Sequence, residues 1–300
     1  MQNRPQPVTL MLVALVGMLW GLNFPAVKFM LGDVPPFTLR AAGFTGGAVI
    51  LLVMVRALGH RLMPQRAEVL PIIAAGLFVL FGFNILTALG QRFTEASRAA
   101  IIVYSMPAMT AVLAAIFLND PLTRRRIIAV LTGLAGLGVM ASADFTTLIA
   151  APLGPFLMLM AALSWAVGNV LVQARQWSLT PLALTFWFFL LSLLLAWPLA
   201  LWLEPASARH LPPLPVIAVF GFHIAGPMAT CYLLWAVLLR RLPATVAAIS
   251  ILTAPTVGVL SSILLLGEPA TWQKMLALGL IVLSIAITLT GRKEPQDREA

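Results

Sequence analysis

The sequence predicts an all-α integral membrane protein, with ten transmembrane helices arranged as two inverted five-helix repeats around a central cavity. Three observations predict this fold. Apolar residues make up 61% of the 300 residues and charged residues only 10%, with a mean hydropathy of +0.99, too few charges to cover the surface of a soluble protein. Ten apolar stretches are long enough to cross about 30 Å of hydrocarbon. Marker residues of the first half also return in the second.

The predicted spans are joined by short loops, the longest of them around residues 204–215. The first span is too long for the apolar region of a cleaved signal peptide, and it carries Trp20 where small residues should precede a cleavage site, so we expect it to be retained. The spans cover residues 8–31, 37–57, 69–91, 96–118, 124–142, 153–175, 181–203, 214–238, 244–266 and 272–290.

An internal repeat organises these spans. Two matched positions are offset by 148 residues and two others by 145, so we predict one repeat over residues 8–142 and a second over 153–290. Because each repeat contains five spans, an odd number, the second enters the membrane from the opposite side. The matched positions are Asp120-Pro121 with Glu268-Pro269, Pro107 with Pro255, Trp20 with Trp165, and Pro36 with Pro181.

The basic residues predict the orientation. If both termini are cytoplasmic, thirteen of the nineteen Lys and Arg residues fall on the cytoplasmic side, including the short loop with Arg124, Arg125 and Arg126. The net charge of +9 is scattered between apolar runs, so nucleic acid is not an expected partner. The single Cys231 excludes an internal disulfide and is expected to be a small packing residue.

Polar and aromatic side chains within the spans are the candidates for a substrate site, because such groups need a reason to lie in the membrane. Packing between helices is an equally good explanation for the two tryptophans, and so is a structural hydrogen bond for the histidine. A 100° step per residue places His223 and Tyr232 on opposite faces of their helix, so they are not expected to share a cavity. The candidates are Trp20, Asn23, Asn84, Tyr104, Trp165, Asn169, His223 and Tyr232.

Two prolines are candidate hinges. Pro107 and Pro255 occupy matched depths in spans four and nine, and each removes a backbone hydrogen bond to the residue four positions earlier. A single proline would be explained as a tolerated packing kink, but the matched pair favours hinges. Ser105 in span four and its counterpart Thr253 in span nine are expected to bond to carbonyls of their own helices.

The acidic residues are absent from mid-membrane. All ten fall in loops, termini or span ends, whereas ion-coupled carriers commonly place a carboxylate within a span. The spans also lack a carboxylate pair, a metal-ligand cluster, a phosphate loop and a Ser-His-Asp set. The sequence therefore predicts transport without ion coupling, no catalysis and no cofactor.

The sequence resembles the drug/metabolite transporter superfamily, specifically its ten-helix EamA-type exporters. The resemblance covers residues 8–290 and rests on the run Trp20–Lys28, on Pro36 and Arg40 opening the second span, on the Pro107 segment and on Glu268-Pro269. Within the superfamily the chain is most similar to bacterial inner-membrane exporters of aromatic and other neutral amino acids.

The resemblance implies a basket-like central cavity lined mainly by spans one, three, four, six, eight and nine, which carry all eight candidate residues. It also implies a location in the bacterial inner membrane. Arg40 meets Thr185 in the other repeat, and this asymmetry indicates that Arg40 either orders the outer end of one half or contacts substrate there.

We therefore expect an exporter of small metabolites, first of all amino acids, that works by alternating access. Its expected partners are a small-molecule substrate and the lipid bilayer, and a monomer is the simplest expectation. One alternative is an exporter of drugs, cations or nucleobases in the same superfamily, although a cation carrier would be expected to use an acidic residue or an aromatic cage. The other is an integral membrane enzyme acting on lipid substrates.

Overall fold

The chain folds into helices joined by short connections. The computed structural model describes residues 7–118, 124–142, 151–206, 210–234 and 244–289, and within these ranges it contains no β-strand. Six of the described helices are long and apolar enough to cross a membrane: Pro36–Ala57, Arg66–Phe93, Ala96–Phe117, Leu153–Gln173, Pro181–Leu203 and Leu214–Leu234. The predicted all-α membrane class is therefore confirmed for the described residues.

Helices α1 to α10 are numbered in chain order. Helix α3 begins with a short 3-10 turn, and α4 consists of two helical parts, Ala96–Val103 and Met106–Phe117. The bounds are α1 Pro7–Met30, α2 Pro36–Ala57, α3 Arg66–Phe93, α4 Ala96–Phe117, α5 Arg124–Ser142, α6 Leu153–Gln173, α7 Pro181–Leu203, α8 Leu214–Leu234, α9 Ala244–Leu266 and α10 Trp272–Leu289.

Proline and glycine set several helix ends. Pro36 and Pro181 are the first residues of α2 and α7, where a missing N–H costs nothing. Gly59 follows α2 with φ +65°, and the N–H of His60 reaches back to the carbonyl of Val55 at 3.0 Å. This is a Schellman ending, which requires a left-handed residue after the helix.

The helices pack in pairs around two apolar cores. Helices α2, α3 and α7 surround one core, and α4, α6, α9 and α10 contribute most of the other. Helix α1 packs closely on α9, because a methyl group at Gly21 would lie 2.7 Å from the carbonyl oxygen of Ala254. Helix α1 also contacts α8, and the single cysteine, Cys231, is buried against α1 as a packing residue.

Two segments have the wider π-helical geometry, with hydrogen bonds spanning five residues. They are Leu77–Gly82 in α3 and Ile224–Thr230 in α8. The 148-residue offset carries the first onto residues 225–230, so the two halves share this departure from α-helix. Nothing in the periodicity of the sequence predicted it.

The two candidate hinge prolines have different surroundings. Helix α4 is interrupted at Tyr104 and Ser105, directly before Pro107, and the Ser105 hydroxyl donates to the Ile102 carbonyl at 2.7 Å, as expected. Helix α9, by contrast, continues as one helix through Pro255. The matched prolines therefore sit in one broken and one continuous helix.

Carboxylates at helix ends join the two halves of the chain. Glu204, which follows α7, accepts hydrogen bonds from the N–H groups of Phe37 at 2.6 Å and Thr38 at 2.8 Å. These groups open α2, where the first turn leaves its N–H donors free and favours negative charge.

The same arrangement recurs at two further places. Glu268, between α9 and α10, accepts from the N–H groups of Ala96 and Ser97 at the start of α4, at 2.6 and 2.9 Å. Glu68, at the start of α3, accepts from the N–H of Ser178 in the turn leading into α7, at 2.6 Å. The repeat counterpart of Glu268, Asp120, lies outside the described residues.

Candidate functional site

A small polar cavity lies between α1, α2 and α3, beside α8. Its volume is about 30 Å³, which is about the share of one water molecule in the liquid. Seven of its eight lining residues are polar or aromatic, in contrast to the apolar cores on either side. The lining residues are Asn23, Phe24, Val27, Arg40, Phe83, Asn84, Thr87 and Gln91.

His223 joins α8 to α1 at this cavity. Its Nδ1 lies 2.6 Å from the Oδ1 of Asn23. Because an amide oxygen can only accept, Nδ1 donates and the other ring nitrogen, Nε2, is left without a hydrogen bond in the described structure. A methyl group at Gly43 of α2 would lie 3.1 Å from that Nε2. The imidazole is therefore wedged between α1 and α2.

Asn84 and Tyr232 meet on the other side of the cavity. Asn84 is buried and donates to the Leu80 carbonyl of the π-helical segment at 2.9 Å, and its side chain lies next to the Tyr232 hydroxyl. The Tyr232 ring packs edge-on against Trp20 at 6.0 Å and against Phe189 at 5.3 Å. The 148-residue offset carries Asn84 onto Tyr232, so equivalent positions of the two halves touch.

The structure corrects one sequence prediction. His223 and Tyr232 were expected on opposite faces of their helix, yet both contact α1, through Asn23 and Trp20. The prediction was wrong because it assumed 100° per residue throughout the helix. The seven residues between 224 and 230 are π-helical, and a wider turn advances each residue by a smaller angle.

Arg40 reaches the cavity from α2 with its guanidinium only partly bonded. The residue is 2% exposed, and its Nη2 donates to the Thr87 hydroxyl at 3.1 Å. Thr87 in turn donates to the Asn84 carbonyl at 2.9 Å. Nε and Nη1 have no hydrogen-bond partner within the described ranges. The sequence signal for Arg40 is its asymmetry between the repeats, where Thr185 takes the equivalent position.

Trp165 and Tyr104 do not line the cavity but pack on two phenylalanines that do. Trp165 packs on Phe83 with ring centroids 4.7 Å apart, and Tyr104 packs on Phe24 at 6.1 Å. Asn169 is half-buried one turn beyond Trp165 and makes no hydrogen bond to any described residue. The structure thus gathers Trp20, Asn23, Asn84, His223 and Tyr232, and leaves the other three candidates in a second layer or apart from the cavity.

Lysines bind the helix ends beyond the cavity. Lys28, at the end of α1, donates to the carbonyls of Gln91 and Thr94, the latter at 2.7 Å. Lys274 pairs with Glu95 at 2.6 Å. The Lys28 bonds tie the end of α1 to the end of α3, and the Lys274–Glu95 pair ties α10 to the start of α4.

A larger cavity between α4, α5 and α6 is chemically unsuited to a polar ligand. It measures about 290 Å³, and apolar side chains line it apart from Ser105, whose hydroxyl is bound to its own helix. Across the described ranges no group of three His, Cys, Asp or Glu residues could hold a metal ion. The small polar cavity is therefore the candidate site.

Known proteins match this chain over nearly its whole length. A "Probable amino-acid metabolite efflux pump" of Salmonella typhimurium (strain LT2) is 28% identical, covering 93% of this chain and 94% of the relative. An "Uncharacterized transporter YvbV" of Bacillus subtilis (strain 168) is 26% identical, covering 98% and 95%. An "Uncharacterized inner membrane transporter YedA" of Escherichia coli (strain K12) is 23% identical, covering 91% and 88%.

A solved crystal structure shares the fold. At 20% identity it superposes with a TM-score of 0.68, covering 94% of this chain and 96% of its own. The sequence model of the EamA-like transporter family matches the chain twice, at residues 8–142 and 152–290. Matched across both halves in this way, the chain belongs to the EamA-like transporter family of the drug/metabolite transporter superfamily and is a membrane transporter.

Proposed function

We propose that this transporter exports small neutral or zwitterionic metabolites, with amino acids as the leading class, from the cytoplasm across the bacterial inner membrane. The observation that carries the proposal is the polar cavity between α1, α2, α3 and α8, which combines amide groups and a guanidinium with aromatic walls. One relative, 28% identical, bears the name of an amino-acid metabolite efflux pump, and this supports the same substrate class.

The cavity chemistry suits a zwitterion with an apolar side chain. Asn23, Asn84 and Gln91 supply amide donors and acceptors, and Phe24 and Phe83 supply apolar faces. A permanent cation in the cavity disfavours organic cations as substrates, because like charges would meet in a desolvated site. Amino acids therefore rank ahead of cationic drugs.

The carboxylates support transport without ion coupling. Glu204 and Glu268 are bound to the N–H groups of helix starts, Glu68 is bound to the N–H of Ser178 in the turn before α7, and Glu95 is paired with Lys274. A carboxylate already occupied at a helix end is a poor site for a coupling proton or sodium ion. The substrate gradient alone would then drive net movement.

The ten-helix inverted repeat remains our proposal for the architecture, and the packing supports it. In a repeat of five helices, each helix corresponds to the one five helices later in the chain, so every contact should have a counterpart. The counterpart of the α1–α9 contact is α6–α4, and that of the α3–α7 contact is α8–α2. All four contacts occur, together with α2–α7 and α5–α10, which map onto themselves. The double family match and the paired π-helical segments agree with two repeats, for which we keep residues 8–142 and 153–290.

The small size of the cavity supports transport by alternating access. About 30 Å³ is far below the roughly 300 Å³ or more of ordinary ligand pockets, so the surrounding helices must separate before substrate can enter. We propose Pro107 and Pro255 as the points at which α4 and α9 bend. The excess of basic residues on one side supports cytoplasmic termini.

Counterflow in liposomes tests the function. Liposomes containing the purified protein are loaded with one unlabelled compound at high concentration and then given a trace of the labelled form outside. We expect transient uptake with phenylalanine, tryptophan and other neutral amino acids, and none in liposomes without protein. Exchange of organic cations or nucleobases with no exchange of any amino acid would contradict the proposal. Turnover of a candidate lipid by the pure protein would favour an enzyme instead.

A further inference from the structure

We propose that Arg40 anchors a carboxylate group of the substrate, so that the cavity selects compounds that carry one. The inference deepens the proposed function and rests on it for the identity of the substrate. It begins from the guanidinium, whose Nε and Nη1 lack hydrogen-bond partners within the described residues although the side chain is buried.

A buried guanidinium needs an anion. Arginine stays protonated at neutral pH, so it cannot avoid the cost of burial by losing its charge. Buried charges in proteins are ordinarily paired with an opposite charge or fully hydrogen-bonded. Arg40 has one described hydrogen bond, to the neutral hydroxyl of Thr87, and its electrostatic neighbours His223 and Tyr232 carry no carboxylate. Arg40 therefore has no carboxylate partner among the described residues, and a bound ligand would supply the anion.

The free donors are enough to bind both oxygens of a carboxylate. A guanidinium has five N–H donors, of which Thr87 takes one, and Nε and Nη1 together hold three more. A carboxylate has two oxygens and binds arginine most strongly when each accepts one bond. An amide is uncharged and has a single acceptor oxygen, and a protonated amine carries a positive charge and has no acceptor.

The position of Arg40 is also appropriate for a substrate contact. It lies on the cavity wall together with Asn23, Asn84 and Gln91, rather than at the lipid-facing surface. Thr87 holds one edge of the guanidinium in place, and Asn84 lies one helical turn before Thr87 on α3. A carboxylate bound to Arg40 would leave the rest of the ligand facing the amides and the aromatic rings.

The test compares four compounds that share a phenyl group and differ in their ends: phenylalanine, 3-phenylpropionate, phenylalaninamide and phenethylamine. Binding is measured by thermal stabilisation of the purified wild-type protein, which requires neither transport nor a mutant. We expect the two carboxylates to bind about ten- to a hundredfold more tightly than the amide and the amine, the range of a hydrogen bond to a charged group. Equal stabilisation by all four compounds would overturn the inference.

Variants then assign the preference to Arg40. Arg40→Gln should bring the four affinities to within a few-fold of one another, and Arg40→Lys should restore part of the preference. The control is Arg92→Gln, which removes an exposed positive charge near the end of α3 and should leave the preference unchanged. A carboxylate preference that persists in a folded Arg40→Gln protein would also overturn the inference.

The transport assay separates this inference from the proposed function. If amino acids exchange in liposomes but the wild-type protein binds all four compounds alike, the proposed export of amino acids is supported and the carboxylate contact of Arg40 is contradicted. If no amino acid exchanges but the carboxylates bind through Arg40, the site stands and the substrate class must be sought among other carboxylates.

Discussion

The Nδ1 of His223 and the Oδ1 of Asn23 are 2.6 Å apart, although the two residues are separated by 200 positions in the sequence. The bond connects α8 of the second half to α1 of the first, at the edge of the polar cavity. Because His223 is fully buried, its donor has no access to water if the partner is removed. This pair therefore contributes both to the stability of the helix packing and to the shape of the site.

Removing the amide should destabilise the protein. Asn23→Ala leaves the His223 Nδ1–H unpaired in a buried position, which costs about 1–3 kcal/mol, whereas Asn23→Asp keeps an acceptor there. Thermal unfolding in detergent measures the difference. Asn169→Ala is the matched control, because this half-buried amide makes no hydrogen bond to the described residues and should change stability little. Equal losses in the Asn23→Ala and Asn169→Ala proteins would show that the histidine bond is not a stabilising contact.

Glu268 should act as a cap for a helix in the other half. Glu268→Ala removes the acceptor for the N–H groups of Ala96 and Ser97 and should cost about 0.5–2 kcal/mol, the range of an N-terminal cap. Thermal unfolding is again the measurement, with Asp33→Ala as the control at an exposed loop position. If both substitutions lower the unfolding temperature alike, the carboxylate does not stabilise the start of α4.

The two prolines should have unequal effects on transport. Pro107→Ala restores a backbone donor where α4 is interrupted, so we expect it to straighten and stiffen that helix. Pro255→Ala changes a helix that already runs without a break. Counterflow rates in liposomes should fall more for Pro107→Ala than for Pro255→Ala, and most for the double variant. If the double variant transports at the wild-type rate, the two prolines are packing residues and not hinges.

Trp165 should influence substrate choice without touching the cavity. Its ring supports Phe83, which lines the site, so Trp165→Ala allows Phe83 to shift and should change the relative rates for large and small amino acids. Trp272→Ala removes a tryptophan that is 67% exposed at a helix start and should change neither rate nor preference at matched expression. Indistinguishable effects of the two substitutions would show that Trp165 does not influence substrate choice.

The sequence predicted the helices well because their signal is local. Apolar length and Pro36 or Pro181 at a first turn identify where a span begins. The sequence could not predict the phase of α8, since the π-helical segment before Tyr232 depends on packing against other helices. The same limit applies to Glu268, whose partners in α4 are more than 170 residues away.

The candidate site can be derived from the sequence only in part, for the same reason. Asn23, Asn84 and His223 are conspicuous as polar residues within apolar spans. Asn23 and Asn84 line one cavity, and His223 bonds to Asn23. The sequence offers two roles for Arg40, because it does not reveal which residues lie beside the guanidinium in space. The described structure places only the hydroxyl of Thr87 in hydrogen-bonding contact with the guanidinium.

Uncoupled amino-acid transport is the central claim, and the endpoint of uptake into liposomes tests it most directly. Protein-containing liposomes are given labelled phenylalanine with no ion gradient, with an imposed pH step and with an imposed sodium gradient. We predict that the internal and external concentrations become equal in all three conditions, because the described glutamates are held at or next to helix ends, Asp33 lies in an exposed turn, and the substrate gradient is the only driving force. Accumulation above the external concentration that persists under a pH step or a sodium gradient would contradict the account.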